Sequence, residues 1–103
     1  MPKYIAKLKE DGYVEWSTIV DAPVTYILTR EHMLAHLDAE YGRSSFEGNR
    51  ERLDRADKYG TSCIDTNFSL EELLLCNRAG DKTRSISLKK ILQKYDLKQA
   101  KDT

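Results

Sequence analysis

The sequence predicts a small α+β domain in which an antiparallel sheet is packed by three to four helices. The first observation is a pair of strand-like runs on either side of the turn Glu10-Asp11-Gly12. The second is a series of amphipathic helical segments that begin at capping residues or end at glycine. With 103 residues, of which 33% are charged and 40% hydrophobic, the chain is long enough for one globular domain over residues 1–103 and too short for two.

Residues 3–9 and 13–20 form the predicted N-terminal hairpin, and Gly12 is expected to supply the positive φ of its turn. Side chains alternate between the two faces of a strand, so one face of the second run is more apolar than the other. The more apolar face carries Val14, Trp16, Thr18 and Val20, and the other carries Tyr13, Glu15, Ser17 and Ile19.

One or two further short strands complete the predicted sheet. Pro23 is expected to stop the hairpin because proline has no N–H to donate to a ladder. Residues 24–28 then form a third short strand or an extended arm. The segment 61–66 is expected to dock on the hairpin as another strand.

Four helices are predicted from capping residues and from apolar residues at helical spacing. The third, which is rich in leucine, is expected to be the most buried element, with Leu75 and Cys76 widening its buried face. Beyond about residue 98 the tail has nothing to bury and is expected to fray. The helices are expected after Thr29 up to Gly42, from Glu47 to Gly60, after Ser69 up to Gly80, and after Ser87 up to about Leu97.

The sequence lacks the motifs that are typical of several classes of protein. No apolar run approaches the roughly 20 residues that span a bilayer, so a cytoplasmic protein without membrane contact is expected. Cys63 and Cys76 lack the spacing of a metal or redox motif and are expected to be reduced thiols. The glycines are isolated and no nucleophile motif occurs, so we expect no cofactor and no enzymatic activity.

His32 and His36 are four residues apart, the spacing at which two imidazoles on one helix can bind a metal ion. Glu40 would be the third ligand of such a site. Met33, however, stands where a zincin motif has its general-base glutamate. A small metal-dependent enzyme is therefore an alternative hypothesis, against two solvated histidines on the polar flank of a helix.

The C-terminal part of the chain is basic although the chain as a whole is neutral. Residues 82–103 carry seven basic and two acidic side chains. Four lysines of the last predicted helix could contact phosphates, which gives the second alternative, a nucleic-acid-binding regulator. These lysines are Lys89, Lys90, Lys94 and Lys98.

Aromatic residues cluster in the N-terminal strands. If helices cover only one side of the hairpin, apolar surface is left over on the sheet, and exposed Tyr13 or Tyr26 beside Arg30 would form a patch that anchors protein partners. Arg50 and Arg55 lie on the predicted outer surface of the second helix and extend this candidate interface. The leading hypothesis is thus a non-catalytic protein-interaction module of unknown oligomeric state.

Four segments occur in a characteristic order along the chain: GYVEWSTIVDAPVTYILT, EYGR, RLDRADKYGTS and LLLCNRAG. In this order of segments the chain resembles a loose group of small phage and prophage accessory proteins. The resemblance covers most of the chain but assigns no role to any residue. It implies a phage-encoded protein in the bacterial cytoplasm that binds and disables a host protein or protein complex. A bacterial defence system is one such target, as it is for anti-CRISPR proteins.

Overall fold

The computed structural model describes residues 3–42, 48–63 and 69–96. In these residues the chain forms an antiparallel sheet in the order β1-β2-β3 and four α-helices, which confirms the predicted α+β class. The strands are β1 (Lys3–Lys9), β2 (Gly12–Ser17) and β3 (Ala22–Pro23). The helices are α1 (Arg30–Tyr41), α2 (Asn49–Tyr59), α3 (Leu70–Leu75) and α4 (Leu88–Lys94), with a short 3-10 helix at Asp81–Thr83.

The N-terminal hairpin forms as predicted, but its turn uses a different residue for the positive φ. Asp11 has φ 48°, a left-handed conformation that aspartate tolerates better than most residues. Gly12 is needed for space instead, because a Cβ there would lie 2.4 Å from Cγ of Lys9. The Asp11 carboxylate accepts a hydrogen bond from the backbone N–H of Arg30 at 2.9 Å, which joins the hairpin tip to the start of α1.

β2 ends at Ser17, three residues earlier than predicted. The Ser17 hydroxyl accepts hydrogen bonds from the backbone N–H groups of Ile19 (3.2 Å) and Val20 (3.4 Å), and the chain turns there. Pro23 does not stop the sheet, since it lies in β3 opposite Trp16. A proline is accommodated in such a position because the outer side of an edge strand needs no N–H donor.

An isolated bridge lies on each edge of the hairpin, next to the short strand β3 on the β2 side. Beyond β3, Leu28 exchanges two backbone hydrogen bonds of 2.8 Å with Tyr13, so residues 24–28 are an extended arm. On the other edge Thr61 forms an isolated bridge with Ala6. Of the predicted strand 61–66, the structure describes residues 61–63. These residues form one bridge rather than a strand.

Helices cover both faces of the sheet, so the expectation of a bare sheet face is wrong. Every residue of β2 is buried. α1 and α2 pack on the face of Ile5 and Tyr13, whereas α3 and α4 pack on the face of Val14 and Trp16. The helical side chains that close the two cores are Met33, Leu37, Leu53 and Ala56 on one side, and Leu73 and Ile91 on the other.

The predicted helix caps are present except at the end of α3, which ends at Leu75 with Cys76 as its cap rather than at Gly80. The hydroxyl of Thr29 accepts from the His32 N–H, that of Ser69 from the Glu72 N–H, and that of Ser87 from the Lys90 N–H. Gly42 and Gly60 terminate α1 and α2, both with positive φ.

A further prediction about the helices is wrong, and two others lie outside the described residues. Leu75 is 76% exposed and Cys76 is exposed, because successive residues of a helix are about 100° apart and Leu73 already faces the core. α3 is therefore not the most buried element. The predicted start of the second helix at Glu47 and the tail from residue 98 lie outside the described residues.

Candidate functional site

Two of the predicted interface residues, Tyr13 and Arg30, meet, but they meet at the carboxylate of Asp57, whose side chain is 35% exposed. The Tyr13 hydroxyl donates to Oδ1 of Asp57 at 2.5 Å, and the Arg30 guanidinium lies 2.6 Å from Oδ2. Lys7 Nζ lies 3.0 Å from Oδ1, and a second guanidinium nitrogen of Arg30 lies 2.6 Å from Asp54. Tyr13 is only 3% exposed. This group therefore ties β1, β2, α1 and α2 together, and Tyr13 is not the exposed anchor that we predicted.

The donors around Asp57 determine its protonation. Burial alone would raise its pKa, but hydrogen bonds from Tyr13 and Lys7 and the charges of Lys7 and Arg30 outweigh that effect, so the pKa lies below its ordinary value of 3.8. The pKa of Tyr13 is raised, first by burial and then by its hydrogen bond to the Asp57 carboxylate. The network is thus stable in its charged form at neutral pH.

We expect Asp57→Asn to lower the free energy of unfolding by about 1–2 kcal/mol at neutral pH, because it weakens three charged or short hydrogen bonds at a site about one-third exposed. A carboxylate with a depressed folded-state pKa stabilises the fold above its ordinary pKa, and this contribution is lost as the pH falls through the lower value. The difference between the native protein and the variant should therefore be constant above about pH 5 and shrink below it. Urea unfolding over this pH range measures it.

Asp54→Asn is the matched control for that experiment. Asp54 has one ion pair, to Arg30, and its side chain is 68% exposed. Such a pair contributes between about 0 and 1 kcal/mol. Equal losses of stability in the two variants would contradict a special role of Asp57.

A second polar cluster surrounds Glu15, a carboxylate in the middle of β2 that is 3% exposed. Its Oε2 accepts a hydrogen bond of 2.5 Å from the Tyr41 hydroxyl, and its Oε1 lies 3.1 Å from Nε2 of His36. Burial and the contact with Glu15 raise the pKa of Tyr41 to about 12. Glu15 thereby holds both the middle and the end of α1 on the sheet.

The predicted metal ligands are not brought together. His36 turns its Nε2 to Glu15, whereas His32 and Glu40 are exposed. In residues 3–42, 48–63 and 69–96, no group of three or more histidine, cysteine, aspartate or glutamate side chains could hold a metal ion. Glu15, rather than Glu40, is thus the carboxylate that completes the surroundings of His36.

The other predicted interface residues differ in their surroundings. Tyr26 is 45% exposed and available to a partner. Arg50 is exposed and lines an open groove between α1 and α2, where Asn49 donates to Asp38 at 2.7 Å. Arg55 is half-buried, and its Nε donates to the carbonyl of Ser62 at 3.0 Å, so its guanidinium supports the fold.

The predicted phosphate-binding lysines of the C-terminal helix also differ in their surroundings. Lys89 and Lys90 are exposed in the first turn of α4. Nζ of Lys94 instead donates to the backbone carbonyl of Ala79 and fixes the preceding loop. Lys98 lies outside the described residues.

Three exposed aliphatic side chains of the described residues were not predicted as interface residues. Ile19 is 74% exposed and Val20 52%, both in the turn after β2, and Leu75 is 76% exposed at the end of α3. The backbone N–H of Arg78 donates to the carbonyl of Asp21 at 2.8 Å, which joins this turn to the segment after α3. We call Ile19, Val20 and Leu75 the apolar turn surface. Ile19 and Val20 were not predicted as exposed because the strand was expected to continue past Ser17 to Val20. The exposure of Leu75 could have been predicted, because three successive leucines in a helix cannot all face the core.

Comparison with known proteins finds no matching family model, no matching curated protein and no matching solved structure. In the part of the chain that the structure describes, no helix has the length and apolar character needed to cross a lipid bilayer.

Proposed function

We propose that the chain is a non-catalytic protein-interaction module that binds a partner through the apolar turn surface. The observation that carries this proposal is that Ile19 and Leu75 are about three-quarters exposed. Most of the other large aliphatic side chains in the described residues are buried or half-buried. Buried apolar anchors at the centre of an interface supply most of the affinity of protein complexes.

The backbone beneath this surface is held in place before any partner arrives. The Ser17 hydroxyl accepts two N–H groups of the turn, and the Asp21 carbonyl is tied to Arg78. A fixed loop loses less conformational entropy on binding than a free one. Val24 (46% exposed) and Tyr26 (45%) follow on the same connection and can extend the contact.

The resemblance to phage accessory proteins suggests the kind of partner. We propose a protein or protein complex of the bacterial host cytoplasm, with a defence system as the leading candidate. The chain would act by occupying a surface of that partner, which requires neither a cofactor nor a catalytic residue.

A pull-down from bacterial lysate with the full chain tests the proposal when it is repeated with the double variant Ile19→Ser/Leu75→Ser. We expect the native chain to retain a partner in stoichiometric amount and the variant to bind it at least about thirtyfold more weakly, equivalent to about 2 kcal/mol. Calorimetry with the purified partner measures the difference. Because the two side chains are exposed, the variant should unfold like the native protein.

Tyr59→Ser is the control, since Tyr59 is 62% exposed but lies at the end of α2. It should leave binding unchanged. Retention of the partner by the Ile19/Leu75 variant, or recovery of the chain alone, would rule out this surface as the interface.

A further inference from the structure

The loop between α3 and α4 has a strained backbone at its tip. The Gly80 N–H donates to the Arg84 carbonyl at 2.7 Å and the Arg84 N–H to the Asp81 carbonyl at 3.2 Å, so the loop folds back on itself. Lys82 and Thr83 have φ values of 56° and 60°. Such left-handed conformations are unfavourable for residues with a side chain, most of all a β-branched one. Both side chains are exposed, so no burial compensates for the strain.

The charge of the same region is also locally unfavourable. Residues 78–94 contain six basic residues and one acidic residue. Lys89 and Lys90 lie in the first turn of α4, which has no acidic residue and where the helix dipole disfavours positive charge. Backbone strain and unfavourable charge in one exposed segment indicate a function other than packing. We call the exposed side chains of Arg78, Lys82, Arg84, Lys89 and Lys90 the basic loop surface.

The base of this loop is fixed to the domain. The buried Asn77 side chain donates to the carbonyl of Ile86 at 2.9 Å and accepts from the Ile86 N–H at 2.9 Å. Nζ of Lys94 donates to the Ala79 carbonyl. Among the described residues, no carboxylate forms an ion pair with the five cations of the basic loop surface. Their charge is therefore available to an external anion.

We propose that the basic loop surface binds the phosphate backbone of double-stranded nucleic acid without reading its sequence. Lysine, arginine and small hydroxyl side chains are the usual phosphate contacts, and the exposed Ser85 supplies a hydroxyl, whereas the Thr83 hydroxyl donates to the Lys82 carbonyl at 2.6 Å. Single-stranded nucleic acid is bound by stacking on aromatic side chains, and the exposed aromatic residues of the described chain, Tyr26 and Tyr59, lie elsewhere. The described part of residues 78–94 also has no strongly exposed large apolar side chain to form the centre of a protein interface.

This site differs from the basic helix that the sequence predicted. Lys89 and Lys90 belong to both the predicted and the proposed site. Lys94 is not included because its Nζ donates to the Ala79 carbonyl. Arg78, Lys82 and Arg84, which precede the helix, are added. The site does not include the apolar turn surface and does not depend on the proposed protein partner.

Fluorescence anisotropy with a labelled DNA duplex, the full chain and a series of salt concentrations tests the proposal. Five phosphate contacts predict a slope of log K against log salt of about −4 to −5, and the double variant Lys82→Gln/Arg84→Gln should reduce its magnitude by about 2. At about 50 mM salt the variant should bind at least about tenfold more weakly. Thermal unfolding should be the same for both proteins because the two side chains are exposed.

Arg50→Gln/Lys58→Gln is the matched control, since it removes two exposed positive charges from α2 and gives the same net charge. It should bind the duplex like the native chain. Equal weakening by both double variants would overturn the proposal, as would the absence of binding at about 50 mM salt. Tighter binding of polyglutamate than of the duplex would also overturn it, in favour of an acidic protein partner.

Discussion

Replacing Asn77 by alanine should lower the free energy of unfolding by about 2–3 kcal/mol, as measured by urea denaturation. The Asn77 side chain is 2% exposed and donates to the carbonyls of Leu74 (2.5 Å) and Ile86 (2.9 Å). It also accepts from the Ile86 N–H at 2.9 Å and the Ala79 N–H at 3.4 Å. Alanine removes these partners from backbone groups that are partly shielded from water, and an unsatisfied buried group costs about 1–3 kcal/mol.

Two further measurements separate this effect from a general loss of packing. Hydrogen exchange of the Ile86 amide should accelerate in the variant more than that of the Met33 amide, whose bond to the Thr29 carbonyl lies on the other side of the sheet. Ser85→Ala, at an exposed position of the same loop, should change stability by less than about 0.5 kcal/mol. If Asn77→Ala were as stable as Ser85→Ala, the amide would not be what holds the loop.

Replacing Glu15 by alanine should cost about 3 kcal/mol, because the Tyr41 hydroxyl and His36 Nε2 lose their acceptor in the interior. Glu15→Gln keeps a hydrogen-bonding group of nearly the same shape and should cost only about 1 kcal/mol. Urea unfolding at neutral pH measures both differences. A glutamine variant as unstable as the alanine variant would show that the charge, and not the hydrogen bonding, stabilises this cluster.

The ionisation of Tyr41 gives a second readout of the same contact. Its pKa is raised from 10.0 to about 12, so its contribution to stability is complete below about pH 10 and is lost as the pH rises towards 12. In Glu15→Gln the pKa of Tyr41 should move part of the way back towards 10.0, because the negative charge of Glu15 is gone. Burial remains and still raises the pKa. Tyrosinate absorbance follows this change. The pKa of Tyr95 is raised by burial alone and should not move, which makes Tyr95 the internal control.

The two proposed surfaces share no side chain, although the backbone of Arg78 in the basic loop surface is bonded to Asp21, next to the apolar turn surface. The apolar turn surface carries the proposed contact with a protein, and the basic loop surface carries the proposed contact with nucleic acid. Their variants change different side chains, so either proposal can fail while the other stands. If both hold, the chain can bind a protein and a duplex at the same time, as an inhibitor of a nucleic-acid-bound host complex would.

Local sequence was sufficient for much of the fold. Thr29, Ser69 and Ser87 were predicted as helix caps, and each caps a helix by accepting an N–H three residues ahead. The two faces of β2 also follow the predicted alternation up to Ser17. These features depend on hydrogen bonds and side-chain directions within a few residues, which a sequence displays directly.

The candidate sites were less predictable, because local periodicity does not say where an element ends or what covers it. Tyr13 was expected at a surface and is buried, since helices lie on both faces of the sheet. Ile19 was assigned to a strand and is exposed in a turn. Arg55 was expected to contact a partner and instead donates to the Ser62 carbonyl.

By itself, the sequence determined the α+β class, the hairpin, the capped helices and the basic character of the C-terminal segment, because each follows from residues close together in the chain. Only the tertiary structure decided that Asp57 forms hydrogen bonds with Tyr13 and Arg30, and that Glu15 forms hydrogen bonds with His36 and Tyr41. These partners are between 21 and 44 residues apart in the chain. Such contacts form only when the packing of helices on both faces of the sheet brings distant segments within hydrogen-bond distance. The same packing leaves Ile19, Leu75 and the loop after α3 in solvent.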